Sequence, residues 1–261
     1  MMDRAEILAI GDELCYGRVY DTNSFWLADQ ATRLGIIVQR IICVRDDSDE
    51  ICAVLREMIT RKPRFIFITG GLGPTEDDKT IEALSKLTKC NIIVDQSILK
   101  IMSERRKFSQ SQILPRHLKM SSTIEGAECL PNPVGWAPLT IIKIKETTIF
   151  TLPGPPKEMQ GCFMTYLVKE IENVTHFHSF AKRVTVTMFE SEVAPLISQI
   201  HKSISGVYMK PLVGEATPNL GLSVEIIVFD YDEERCQKKY WKALNMLAEL
   251  VRQNGKDLKE L

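Results

Sequence analysis

Short apolar runs alternate with longer stretches whose apolar positions recur every third or fourth residue, and this alternation persists to about residue 170. Residues 6–10 form a first apolar run that stops at Gly11, and Asp12-Glu13-Leu14 with Gly17 reads as a loop. Thr22-Asn23 then precedes a helix whose apolar face takes in Phe25, Leu27, Ala28, Ala31 and Leu34, with Gly35 as its stop. Residues 36–44 predict a second strand. Asp46-Asp47-Ser48 leads into a helix carrying Ile51, Val54, Leu55, Met58 and Ile59. Residues 65–69 (Phe-Ile-Phe-Ile-Thr) predict a buried third strand. Strand, helix, strand, helix, strand is the signature of a parallel sheet covered by helices on both faces.

Further along, residues 95–120 read mainly as helix, interrupted at Pro115. Pro131, Pro133, Gly135 and Pro138 make residues 128–138 a loop, and two strands at 141–145 and 148–152 form a hairpin around Glu146. A helix leaves Pro153-Gly154-Pro155-Pro156 toward Met159, Phe163 and Leu167. Beyond Asn173 the texture changes to a strand at 184–188, a helix at 192–204, strands near 207–209 and 222–229, and a last helix at 233–253. The expected class is therefore α/β, a three-layer α/β/α domain with a mostly parallel sheet over residues 1–172. A smaller α+β domain is expected over 180–261.

Composition removes several classes. The net charge of −1 leaves no electrostatic footprint for nucleic acid or an anionic membrane. No apolar run approaches the length of a membrane span, and the N-terminus has no signal-peptide core. Seven cysteines lie scattered with no Cys-x-x-Cys, as expected of reduced thiols in a cytoplasmic protein. His176-Phe177-His178 alternates like two ligands on one strand face, but no carboxylate or cysteine stands nearby in sequence, so a surface pair is expected.

The chemistry concentrates in residues 65–80. After the third strand come Gly70, Gly71 and Gly73 with Leu72 between them, then Pro74, Thr75 and three consecutive acids, Glu76, Asp77 and Asp78. A strand, a glycine turn and a helix start present backbone N–H groups to a phosphate. Thr75 with Asp78 resembles a capping box that sets where the helix begins. The acids either complement the helix dipole or, beside a phosphate, call for a divalent cation between carboxylate and phosphate oxygens. No Gly-Lys-Ser/Thr follows, so this is not a Walker loop. Loops at Gly11-Asp12-Glu13, at Asp46-Asp47 and at residues 153–156 follow strands in the same way, and open parallel sheets bind ligands beyond the carboxyl ends of their strands.

These motifs resemble the competence-damage-inducible protein A (CinA) family, whose first domain belongs to the molybdopterin-binding fold group. The matching residues are Gly11-Asp12-Glu13-Leu14 with Gly17, Asp21-Thr22-Asn23, Gly70 to Thr75 with Asp77-Asp78, Asn132-Pro133-Val134-Gly135, and Leu152 to Pro156 with Glu158-Met159. Trp136 and Leu139 depart from the family pattern.

The resemblance implies a domain that binds a nucleotide or pterin, together with metal-dependent hydrolysis of ADP-ribose-like pyrophosphates. FAD and NAD(H) are further candidate substrates. It implies catalytic roles for Asp78 and Asp46 and a divalent cation (Mg, Mn or Co) held by Asp46, Asp77 and Asp78. It further implies a substrate surface formed by Gly11, Glu13, Asn23, Gly70, Gly71, Leu72, Gly73, Pro74, Thr75, Gly154, Pro155 and Glu158. The expected member is a short, archaeal-type form without the deamidase domain of many bacterial relatives, and a homo-oligomer, with a dimer the first expectation. The alternative is a protein that binds molybdopterin or adenylylates it, on the same fold.

Overall fold

Alternating side chains along the central strands separate two cores and thereby set the layers. β1 (Arg4–Ile10) is followed by α1 (Asp12–Cys15), α2 (Thr22–Arg33), β2 (Ile37–Val44), α3 (Ser48–Thr60) and β3 (Phe65–Thr69), all five of whose residues are buried. In the computed structural model, which describes residues 2–217 and 221–260, Ile66 and Ile68 of β3 pack in one cluster with Ile51, Leu55 and Met58 of α3. Ala83 and Leu84 of α4 (Thr80–Thr88) join the same cluster. Phe67, one pleat away, stacks with Phe150 at 5.6 Å and meets Phe163 at 5.9 Å. Trp26 of α2 closes on Phe163 edge-on at 5.2 Å. A period of two along β3 therefore sends one face to α3 and α4 and the other to α2 and the segment holding Phe163.

The chain continues through β4 (Ile92–Val94), α5 (Gln96–Arg106), one 3-10 turn (Gln110–Gln112), α6 (Pro115–Met120) and β5 (Ser122–Ile124). Then come β6 (Glu128–Leu130), β7 (Leu139–Ile144), β8 (Thr147–Leu152), α7 (Pro156–Cys162), a π-helical turn (Phe163–Leu167) and α8 (Val168–Glu172). The main sheet runs β2-β1-β3-β8-β7-β6, with β4 and β5 forming a separate two-stranded ribbon. β1, β2, β3 and β8 are mutually parallel, while β7 returns antiparallel beside β8 and β6 beside β7. The chain divides into two units, residues 3–31 with 36–174 and residues 32–35 with 175 onward.

In the second unit, β9 (His178–Val186), α9 (Glu190–Ser203), β10 (Val207–Thr217), β11 (Gly221–Asp230), α10 (Glu233–Gln253) and β12 (Leu258–Glu260) form an antiparallel sheet, β10-β11-β9-β12, with helices. Alternate residues of β11 are buried, and Tyr240, Leu244, Leu247 and Val251 of α10 pack in the same core.

Several sequence expectations need correction. Residues 12–15 are a short helix rather than a loop, and α2 turns Ser24 inward while Phe25 is 74% exposed. Residues 128–130 form the edge strand β6, because their partners on β7 complete a ladder that the flanking prolines do not interrupt. In the second unit, β9 starts six residues before the expected strand at 184, where its polar outer residues hide the pattern. Among the described residues no helix is long and apolar enough to cross a membrane.

Glu6 is fully buried in β1 and accepts from Arg40 at 2.7 Å and from Arg61 at 2.8 Å. A buried carboxylate deprived of a partner is costly. Arg40→Ala is expected to destabilise the first unit by about 2 kcal/mol, less than a full buried-pair loss because Arg61 remains. Urea unfolding followed by Trp26 fluorescence checks this.

Candidate functional site

Four parallel strands end at one edge of the sheet, and the loops that leave them meet there. Beyond β1 lies Gly11 with Glu13, beyond β2 Asp46, beyond β3 residues 70–78, and beyond β8 Gly154 and Pro155; all four contribute to one cleft of about 420 Å3. Of the predicted residues, Gly11, Glu13, Asn23, Asp46, Gly70, Gly71, Leu72, Gly73, Asp77, Asp78, Gly154 and Pro155 line it. Pro74, Thr75 and Glu158 do not. Glu158 points instead to residues 132–136, where it accepts from the Asn132 amide at 2.8 Å and from Trp136 N at 3.2 Å.

Backbone geometry explains the glycines. Gly70 has φ +101°, and a Cβ there would stand 2.1 Å from Ile10 O; Gly71 has φ +64°, with Thr80 Oγ1 in the way. The turn is tied down by Thr80, whose hydroxyl donates to Gly70 O at 2.8 Å and whose N–H donates to Gly71 O at 3.2 Å.

Asp78 is not a helix cap. α4 begins only at Thr80, and Asp78 turns back into its own loop. Its Oδ1 accepts from Gly73 N at 2.6 Å, and its Oδ2 accepts from Thr75 N at 2.8 Å and from the Thr75 hydroxyl at 2.6 Å. Two of the N–H groups expected to cradle phosphate are thus already filled by a carboxylate of the chain. Pro74 has none to offer. A carboxylate has about four acceptor positions, so one remains on Asp78 for a further ligand.

On the opposite wall, Asn23 clamps two strand ends. Its Nδ2 donates to Thr69 Oγ1 at 2.9 Å and to Gly154 O at 2.7 Å, while Thr69 Oγ1 donates to Pro153 O at 3.0 Å. With both amide hydrogens committed, the buried Oδ1 finds no protein donor. Leu14, Val19, Tyr20, Asp21, Thr22 and Thr69 also line the cleft. Sequence reasoning left these out of the site. The detectable signal was position, since Leu14, Asp21 and Thr22 stand in the same motifs as Glu13 and Asn23.

The electrostatics are one-sided. Glu13, Asp21, Asp46, Asp77 and Asp78 line the cleft, and among the described lining residues there is no Lys, Arg or His. Arg45 is drawn away into a two-pronged pair with Asp12, at 3.0 and 3.1 Å, which holds the Asp12 carboxyl below its usual range. Asp46 exchanges hydrogen bonds with Asp12, its Oδ2 accepting Asp12 N at 2.9 Å. Burial pushes the Asp46 carboxyl up, against that N–H, and the charges of Asp12, Glu13 and Asp78 push the same way.

An acid whose folded-state pKa is raised stabilises the fold only while protonated, and that contribution is lost as pH rises through the raised value. Asp46→Asn should therefore match the parent below about pH 3.8 and exceed it in stability toward neutrality. Urea midpoints across a pH series measure the difference; a variant less stable at pH 7 would refute the argument.

Among the described residues, no three His, Cys, Asp or Glu side chains converge as a ready metal cage. The donors fit a different mode. Magnesium-like cations use one or two carboxylates and complete their shell with water and ligand phosphate. Asp46, Asp77 and Asp78 offer such hard oxygens, and the five-carboxylate wall disfavours any phosphate that arrives without a cation.

The comparisons agree with this architecture. The family described as a probable molybdopterin binding domain matches residues 6–173. A protein of Metallosphaera sedula is 31% identical over 98% of this chain and 97% of its own length, and one of Pyrobaculum calidifontis is 35% identical over 80% of each. The crystal structure of the protein CinA, of unknown function, from Thermoplasma acidophilum superposes with a TM-score of 0.61 at 30% identity, covering 65% of this chain and 98% of that one. With that fold, loop set and match, the chain belongs to the molybdopterin-binding-domain family and, within it, to the CinA-like proteins.

Proposed function

We propose that the cleft binds the phosphate end of a ring-bearing small molecule, with molybdopterin the first reading and an adenine nucleotide the second. The observation that carries this is the meeting of four carboxyl-end loops around a cation-demanding wall. The family match over residues 6–173 favours the pterin.

The roles follow from position. Asp46, Asp77 and Asp78 would hold a divalent cation, which when bound supplies charge neutralisation and polarises a phosphoryl oxygen. Asn23, with its free Oδ1, would take a donor from the ligand and orient it. Gly70 and Gly71 keep side chains out of the ligand's path, and Gly154 and Pro155 close the far side.

The second reading, hydrolysis of a nucleotide pyrophosphate such as ADP-ribose, FAD or NAD, draws support from Asp46. A half-buried carboxylate whose pKa is raised by burial and by like charges is a stronger proton acceptor than a free one. Adenylylation of the pterin uses the same bond type, so both readings place the reacting phosphorus beside Asp46.

One experiment tests all of this. The purified protein is titrated with molybdopterin by fluorescence, and is incubated with ADP-ribose, FAD, NAD and ATP in Mg2+, Mn2+ or Co2+ while AMP is measured. Saturable, cation-dependent pterin binding supports the first reading and AMP release the second. Absence of both pterin binding and AMP release would overturn the proposal. The same preparation, sized by light scattering, tests the dimer.

A further inference from the structure

Two thiols that no local motif pairs come together beside the cleft. Cys15, at the end of α1, and Cys43, on β2, lie 28 positions apart with their sulfurs 3.6 Å from each other, and both residues are exposed. Among the described residues they belong to no metal-ligating cluster. A disulfide needs a sulfur separation of about 2.0 Å, so closure requires an approach of roughly 1.6 Å. α1 is four residues long and has no buried residue; Asp12 holds its start to Arg45 and Asp46, so the movement falls to its Cys15 end.

The position gives closure a consequence. α1 carries Glu13 and Leu14 into the cleft, and the turn after it brings Val19 and Tyr20 to the rim. β2, by contrast, is fixed in the parallel sheet beside β1.

We propose that Cys15 and Cys43 are a site of reversible disulfide formation that ties α1, and with it one wall of the cleft, to β2. The inference does not rest on which ligand the cleft takes. With a small-molecule disulfide as oxidant, the thiolate of one cysteine attacks an oxidant sulfur and one half leaves as a thiol after taking up a proton. The second cysteine then attacks the mixed disulfide and expels the other half in the same way. The protein loses two electrons and two protons, and the oxidant becomes two thiols.

The test uses the full chain, reduced and then exposed to oxidised glutathione, followed by acid quench, intact mass and peptide mapping. The expected product is lighter than the reduced protein by two hydrogens and yields a Cys15–Cys43 cross-linked peptide. Amide exchange over residues 12–20 should slow, and dithiothreitol should restore it. Cys43→Ser should instead retain a glutathione adduct on Cys15. A stable adduct on Cys15 in the parent, a cross-link between other cysteines, or a Cys15–Cys43 link with unchanged exchange would each overturn the proposal.

Discussion

Replacing Gly70 with alanine is expected to destabilise the first unit by more than about 3 kcal/mol. Two costs combine. The residue sits at φ +101°, where an L side chain is strained by about 1–3 kcal/mol. Its Cβ would also lie 2.1 Å from Ile10 O, a backbone atom of a buried strand end that has nowhere to move. Gly126 separates the two effects, because it has φ +82° with nothing within 4 Å of an added Cβ. Gly126→Ala should cost only the strain. Urea unfolding of both variants, read at Trp26, gives the comparison, and equal losses would show that the Ile10 contact contributes nothing.

Asp78→Asn is expected to lower cation-dependent ligand binding or turnover by about 100-fold. The carboxylate accepts three hydrogen bonds from Gly73 and Thr75, two of them from backbone N–H groups. An amide keeps one acceptor oxygen and turns an NH2 toward the other site, where it meets a donor. The loop should open, and the negative charge that would attract a cation goes with it. Exchange of the Gly73 and Thr75 amides should accelerate in the same variant. Slower binding with unchanged exchange would assign Asp78 to the ligand alone. Faster exchange with full activity would make it a staple of the loop and remove it from the site.

Much of the parallel half was legible because β1 and β3 are short, largely buried runs that end at glycine. β3 is the plainest case, five buried residues ending at Gly70. The carboxyl-end rule then places the loops after β1, β2, β3 and β8 together without further information. What local pattern cannot show is the direction of a short side chain. Thr75 and Asp78 have capping-box spacing, and Asp78 does accept from Thr75 N, but its other oxygen holds Gly73 N and the helix starts only at Thr80, four residues later than that spacing predicts. Glu158 follows the proline turn closely, yet the buried Asn132 loop captures it. Long-range meetings such as Cys15 with Cys43, or Glu6 with both Arg40 and Arg61, depend on register between strands and leave no trace in spacing.

The strand order has a consequence for synthesis. β8 fills the place beside β3, yet it follows β3 by almost eighty residues of chain. While the ribosome is still making the segment between them, β3 is a buried-type strand with an open edge, the kind of surface that recruits other chains. Asn23 likewise waits for Gly154, 131 positions later, before its clamp can close. The cleft therefore cannot exist on a nascent chain shorter than about residue 154, and a released chain truncated before Thr147 should be captured by chaperones where one extending past the π-helical turn is not.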